Sequence, residues 1–229
     1  MNTKHKKPTL TKKQRHRLRV QQVRRQKIFL TCLFLLIVGC ILLRFSKFSG
    51  RQEEAHQINA ACEAYRDEVS SEAAQYDMSD YVDLILAVMM QESSGQGTDP
   101  MQSSEGAYNT RYPQQPNGIT DPSYSISCGI QELKYALEKA VCTGPTDLSK
   151  IRLALQAYNF GADSYFAYLE ENGQTVWTAQ SAQAFAQMAS GNTQRDEDDP
   201  LHDPAGPWDY GDQYYPDHVL RYYHLDNNS

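Results

Sequence analysis

The sequence predicts a mainly α domain preceded by a single membrane anchor helix, and three observations carry that reading. After residue 57, apolar residues recur at helical spacing, and no stretch alternates as a strand would. A charge-free apolar run fills residues 28–43, directly after a strongly basic tail. Residues 96–122 are rich in Gly, Pro, Ser, Asn and Gln and show no period. A loop this long inside a compact domain is usually functional or disordered.

Taken in order, residues 1–27 hold 11 of the 22 Lys and Arg and no acidic residue, and they read as a disordered cytoplasmic tail carrying +11. The other 11 basic residues face all 28 acidic ones, which leaves −17 on the remainder. The run 28–43 is sixteen residues long. A spanning helix needs roughly 17–25 residues, and Lys27 and Arg44 can snorkel to make up the difference. The basic flank keeps the N-terminus in the cytoplasm and sends the acidic part outside. No Ala-x-Ala-like site follows, so an uncleaved signal-anchor is expected rather than a removed signal peptide. Ile37-Val38-Gly39-Cys40 also has the form of a lipobox, and either reading leaves the domain tethered to the outer membrane face. Beside a membrane helix, the tail's charge holds topology and meets anionic headgroups. The −17 of the remainder argues against nucleic acid as a partner.

Residues 44–57 read as a polar linker and 58–229 as the globular domain. Ile58, Cys62, Tyr65, Val69, Ala73 and Tyr76 predict a helix over 58–76. Val82, Ile85, Leu86 and Met89 predict a half-buried helix. Glu92 follows on the face of Ile85 and Met89, with Ser93, Ser94 and Gly95 directly after it. Beyond the long loop, Ile126, Ile130, Leu133, Leu137 and Val141 mark a helix stopped by Gly144-Pro145. Another runs from Ser149, as N-cap, to Asn159 and breaks at Gly161. Residues 162–171 and 179–189 are helices ended by Gly173 and Gly191. Residues 192–213 read as an acidic loop, and 216–223 as a last short helix. Cys62, Cys128 and Cys142 make an odd number outside the anchor. One disulfide with a free thiol fits that number, and so does none. Cys128 with Cys142 is the favoured pair, because both flank one helix and turn.

Glu92 is the residue most suited to chemistry. Burial disfavours an ionised carboxyl group and raises its pKa. A carboxylic acid still protonated near neutral pH can protonate a leaving group. No metal or cofactor is expected. Asp196-Glu-Asp-Asp199 lacks the alternating spacing of a calcium loop, and His202, His218 and His224 lack metal-ligand spacing. No Ser-His-Asp or Cys-His arrangement has a recognisable context.

Four segments then carry a resemblance. Met90-Gln-Glu-Ser-Ser-Gly95 resembles the catalytic helix end of goose-type lysozymes and soluble lytic transglycosylases. Asp99-Pro-Met-Gln-Ser-Ser-Glu105 resembles their following Met-Gln segment. Asp121-Pro-Ser-Tyr-Ser-Ile-Ser-Cys-Gly129 and Ala154-Leu-Gln-Ala-Tyr-Asn-Phe-Gly161 resemble the stretch opening their next helix and their Ala-Tyr-Asn-x-Gly helix. Tyr210-Gly-Asp212 and Val219-Leu-Arg-Tyr-Tyr223 are similar to the ending of the bacterial lysozyme-like domains of Gram-positive cell-wall hydrolases, some encoded in conjugative elements. The likeness spans roughly residues 60–225.

The resemblance implies a lysozyme-like fold and cleavage of peptidoglycan between N-acetylmuramic acid and N-acetylglucosamine. Glu92 would be the general acid. Gln102, Ser103 and Ser104 would line the groove, and Tyr158 and Asn159 would reach across toward Glu92. Hydrolysis needs a second carboxylate roughly 5–9.5 Å away. Asp99, Glu105 and Asp121 are candidates, with Glu105 the first choice. Lytic transglycosylation needs none, because the sugar's own hydroxyl attacks to form a 1,6-anhydro product. Some relatives carry a second peptidase domain. This sequence leaves six residues after Tyr223, so stem-peptide cleavage is not expected. A tethered enzyme cuts wall near its own membrane, which suits opening a passage for a secretion or conjugation apparatus. The rival reading is a non-catalytic, membrane-tethered wall-binding or assembly protein, and Glu92 argues against it.

Overall fold

The computed structural model describes residues 56–225. The expected tail and anchor lie outside these residues, as does nearly all of the linker. Among the described residues no helix is long and apolar enough to cross a membrane.

The described residues form a helical domain. Helices α1 (Ala60–Glu63), α2 (Arg66–Gln75), α3 (Val82–Glu92), α4 (Pro122–Lys139) and α5 (Leu148–Phe160) come first. They are followed by α6 (Ala162–Glu171), α7 (Ala179–Ala189), α8 (His202–Ala205) and α9 (Tyr215–Leu220). A 3₁₀ turn at Ser79–Tyr81 leads into α3. The sole strand-like feature among the described residues is an isolated bridge between Gln194 and Trp208.

Helix α3 differs from the half-buried stripe that its period suggests. Leu84 through Met89 are all fully buried. A helix apolar on every side belongs inside, and α3 is packed by α1, α2 and α9. Helix α5 is the second hub, contacting α4, α6 and α9. At α5's end Phe160 stacks on Phe185 of α7 at 5.1 Å, and Tyr165 of α6 meets both rings edge-on.

Local chemistry moves several boundaries. The helix expected over 58–76 breaks at Ala64–Tyr65 into α1 and α2. Asn59 caps α1 by accepting from the Cys62 N–H, and its Nδ2 donates to the Ser94 carbonyl. That second bond ties α1 to the end of α3. The N-cap of α5 is Asp147, not Ser149, because the Asp147 carboxylate accepts from the Lys150 N–H. Helix α4 begins with Pro122 behind the N-cap Asp121, as first-turn chemistry favours. The segment 192–213 is more than a solvated acidic loop. It holds α8, and the buried Arg195 guanidinium donates to the carbonyls of Gly206, Trp208 and Gly211.

The favoured Cys128–Cys142 disulfide is absent, and Cys62, Cys128 and Cys142 are all free thiols. Eleven helical residues separate Cys128 from the end of α4 at Lys139, a rise of about 16 Å at 1.5 Å per residue. A disulfide needs Cα atoms within about 7 Å.

Candidate active site

Glu92 is the last residue of α3 and is half-buried. The turn after it is locked. Ser93 donates its hydroxyl to the Pro100 carbonyl at 2.8 Å, and the Gly95 N–H donates back to Ser93 Oγ. The two serines therefore shape the helix end. The Glu92 carboxyl is pushed up to about 7, chiefly by burial. A hydrogen bond from the Tyr215 hydroxyl to Oε1, at 2.5 Å, works in the opposite direction, while Asp212 and Asp99 add to the rise. A group poised there exchanges protons efficiently near neutral pH.

Tyr215 comes from α9, 123 residues along the chain. Its ring is stacked on Tyr158 of α5, with centroids 6.4 Å apart. The Tyr158 hydroxyl donates to the Met101 carbonyl at 2.9 Å, so this pair of rings joins α5, α9 and the long loop. Asn159 accepts from the Asp212 N–H at 2.8 Å, and Gln156 donates to the Asp212 carbonyl. The Asp212 carboxylate in turn meets His218 Nδ1 at 2.5 Å. The turn before α9 is thereby held against α5.

The long loop, residues 93–121, is organised around Asp99. This buried carboxylate accepts from the backbone N–H groups of Ser103 and Ser104, from both their hydroxyls, and from Ser125 Oγ. Ser104 Oγ also accepts from the Ile119 N–H, closing the loop on itself. Ser103 and Ser104, expected in the groove, instead lie beneath it at 1% and 2% exposure. Of the three candidate second carboxylates, Asp99 is occupied by five donors and Asp121 caps α4 through the Ser123 N–H. Glu105 is exposed.

A cleft of about 510 Å³ opens between the loop, α4 and the α5–α6 junction. Gln102, Glu105, Tyr108, Glu132, Tyr158 and Asn159 are among its lining residues. Glu92 is not; it adjoins the cleft through the paired rings of Tyr215 and Tyr158. Four of the sequence-predicted site residues thus line one cleft, Gln102, Glu105, Tyr158 and Asn159, and Glu92 is linked to it through Tyr215. Sequence reasoning missed Tyr215 and Glu132. Tyr215 stands between the Tyr-Gly-Asp and Val-Leu-Arg-Tyr-Tyr segments, in a stretch with no periodic signal. Glu132 stands four residues from both Cys128 and Ala136, which are fully buried, and that placement was its available signal. Burial pushes its carboxyl up to about 7. The Tyr108 backbone N–H pulls it down, and Asp99 and Glu92 raise it further.

A family model described as lysozyme-like matches residues 60–223. The chain belongs to the lysozyme-like family. Over 173 residues it is 35% identical to the bifunctional muramidase/DL-endopeptidase CwlT of Bacillus subtilis, covering 76% of this chain and 43% of that protein. It is 40% identical over 115 residues to the uncharacterized membrane protein YocA of the same organism, covering 48% of this chain and 45% of YocA. Among solved structures, a Staphylococcus aureus protein similar to an NLP/P60-family lipoprotein superposes with a TM-score of 0.61 at 27% identity. The match covers 76% of this chain and 56% of that one. The chain spans about half the length of the curated relatives it matches. Within the lysozyme-like domain, the matched region contains Glu92 and every cleft residue named above.

Proposed function

We propose that this lysozyme-like protein cleaves the glycan strand of peptidoglycan between N-acetylmuramic acid and N-acetylglucosamine, with Glu92 as the general acid. The observation that carries the reading is the Glu92 carboxyl. It ends a buried helix, its pKa is raised to about 7 mainly by burial, and it is held by Tyr215, whose ring stacks on the cleft-lining Tyr158. Its partly exposed edge meets the glycosidic oxygen, and its proton passes to that oxygen as the C–O bond breaks. The positive charge that develops on the sugar ring is oxocarbenium-like. The muramidase named in the CwlT relative supports the same substrate class.

Glu105, exposed on the cleft wall, is the carboxylate we assign to activate the attacking water. Gln102, Tyr158 and Asn159 are assigned to position the sugar. Asp99 and Asp121 are committed to the loop and the helix cap, which leaves Glu105 as the remaining candidate of the original three. Glu92→Gln keeps size and shape but cannot donate the proton, and its rate on purified peptidoglycan should fall about 10²–10⁴-fold with the fold intact. Parental clearance by a folded Glu92→Gln would end the assignment. Glu105→Gln separates the two reactions. Hydrolysis yields a reducing-end muramic acid and a large rate loss in this variant. A 1,6-anhydro product with little loss would mean lytic transglycosylation.

We also propose that residues 28–43 anchor the domain to the outer face of the cell membrane with the +11 tail inside. The charge asymmetry and the similarity to a membrane protein support this. Protease added to intact spheroplasts should digest the domain and spare the tail. A tethered enzyme of this kind remodels wall locally, for a secretion or conjugation apparatus. Unchanged transfer and secretion in a deletion strain would count against that role.

A further inference from the structure

Glu132 is a half-buried acid that the proposed acid step does not use. It lies on α4 on the face of the fully buried Cys128 and Ala136, and the residue contributes to the cleft wall. The Tyr108 backbone N–H lies close enough to act on this carboxyl, yet its Oε1 atom is buried and has no partner in hydrogen-bond geometry among the described residues. Buried polar atoms in folded proteins are nearly always paired, because an unpaired one costs about 1–3 kcal/mol. An orphan oxygen on a residue that lines a substrate-sized cleft therefore calls for a partner from outside the chain.

The loop opposite makes room for this oxygen. A Cβ on Gly106 would lie 1.3 Å from Glu132 Oε1 and 2.3 Å from its carboxyl carbon. Any larger residue at 106 would expel the carboxyl from its place. Gly106 lines the same cleft, together with Gln102, Tyr108, Tyr135 and Tyr158. Aromatic faces, a side-chain amide and an unsatisfied acceptor are the groups that hold an amino sugar, whose acetamido N–H is a donor seeking such an oxygen.

We infer that Glu132 is a substrate-contacting residue whose carboxylate, seated against Gly106, accepts the acetamido N–H of an N-acetylated sugar in the cleft. The inference rests on the cleft holding glycan. Glu132 then sets affinity and orientation, while Glu92 supplies the proton.

The test uses the full chain, with turnover on solubilised peptidoglycan strands and thermal melting read together. Glu132→Leu removes the acceptor at similar volume. Losing one such hydrogen bond should raise KM about tenfold with kcat nearly retained. The melting midpoint should hold or rise, because an unsatisfied buried carboxyl has been removed. Glu132→Gln keeps an acceptor oxygen and should restore KM to within about threefold of the parent, a residual well under the energy of one hydrogen bond. Gly106→Ala, which leaves α4 untouched and crowds the carboxyl out, should reproduce the rise in KM and keeps the test open if Glu132→Leu fails to fold. An unchanged KM in folded Glu132→Leu or in Gly106→Ala overturns the inference. So does a KM rise shared equally by Glu132→Gln. Glu92→Gln is the separate control: if it remains fully active, the glycan-cleavage reading falls. If it is inactive while the Glu132 variants are unaffected, this inference alone falls.

Discussion

At the residue scale, Tyr215 tunes the acid. Its hydroxyl donates to Glu92 Oε1 and so favours the ionised carboxylate, opposing the effect of burial. Tyr215→Phe removes that donor and leaves the ring stacked on Tyr158. The Glu92 carboxyl should then titrate above about 7, since Asp212, Asp99 and the apolar surroundings remain. With Glu92 as the proposed general acid, turnover needs its protonated form, so the alkaline limb of the pH–rate profile should move to higher pH. A limb that stays in place or moves down would show that Tyr215 does not govern the proton. Glu92 itself was legible from sequence, because an acid three residues after Met89 on an apolar face is expected to be buried. Its partner 123 residues away was not, because no local pattern in 214–216 points to a carboxylate.

At the element scale, the long loop behaves as a built object. Its aperiodic composition marked it as a loop, and the Asp99 hub explains how so many polar residues pack without regular structure. Asp99→Asn replaces one acceptor oxygen with an NH₂ group facing N–H and O–H donors. Two or more bonds to a charged group are lost at about 1.5–3 kcal/mol each, so the melting temperature should fall well below the parent's and glycan cleavage should fall with it. Helix α4 meets the loop at Gly129, where a Cβ would lie 2.6 Å from the Met101 Cβ. Gly129→Ala should therefore destabilise by about 1–3 kcal/mol, the usual cost of overpacking, although Ala is the better helix former. Denaturant unfolding checks this, and a gain in stability would show that the loop can shift away freely. The Cys128–Cys142 expectation failed at this scale for a geometric reason: residues near in sequence across a helix can be far apart in space. Reductant should leave the melting midpoint unchanged.

At the scale of the whole molecule, two half-buried acids tie stability to pH. Glu92 and Glu132 are both raised to about 7 from a usual 4.5. The folded state therefore binds protons more tightly than the unfolded one. The stability they contribute is complete below about 4.5 and is lost as pH rises through 7. The thermal midpoint should decline between pH 5 and pH 8, and the double variant Glu92→Gln/Glu132→Gln should flatten that decline. An equal slope in the double variant would place the pH dependence elsewhere. The rising cost fits a site in which function, rather than stability, keeps two acids under cover.

The helical class, the long loop and the place of Glu92 at the end of an apolar helix were all readable from residue order, because the periodicity, turn chemistry and charge that reveal them act over a few residues. Helices 162–171 and 179–189 emerged with the boundaries expected from their glycines, since Gly173 and Gly191 both adopt the left-handed turn. Tertiary structure decided what depends on distant chain. It showed α3 buried on every side, directed Ser103 and Ser104 inward to Asp99, left the thiols apart and joined Tyr215 to Glu92. It also placed Glu132 in the notch of Gly106, a contact between a helix and a loop 26 residues earlier. Such pairings follow from how whole helices pack, and no spacing within one segment encodes them.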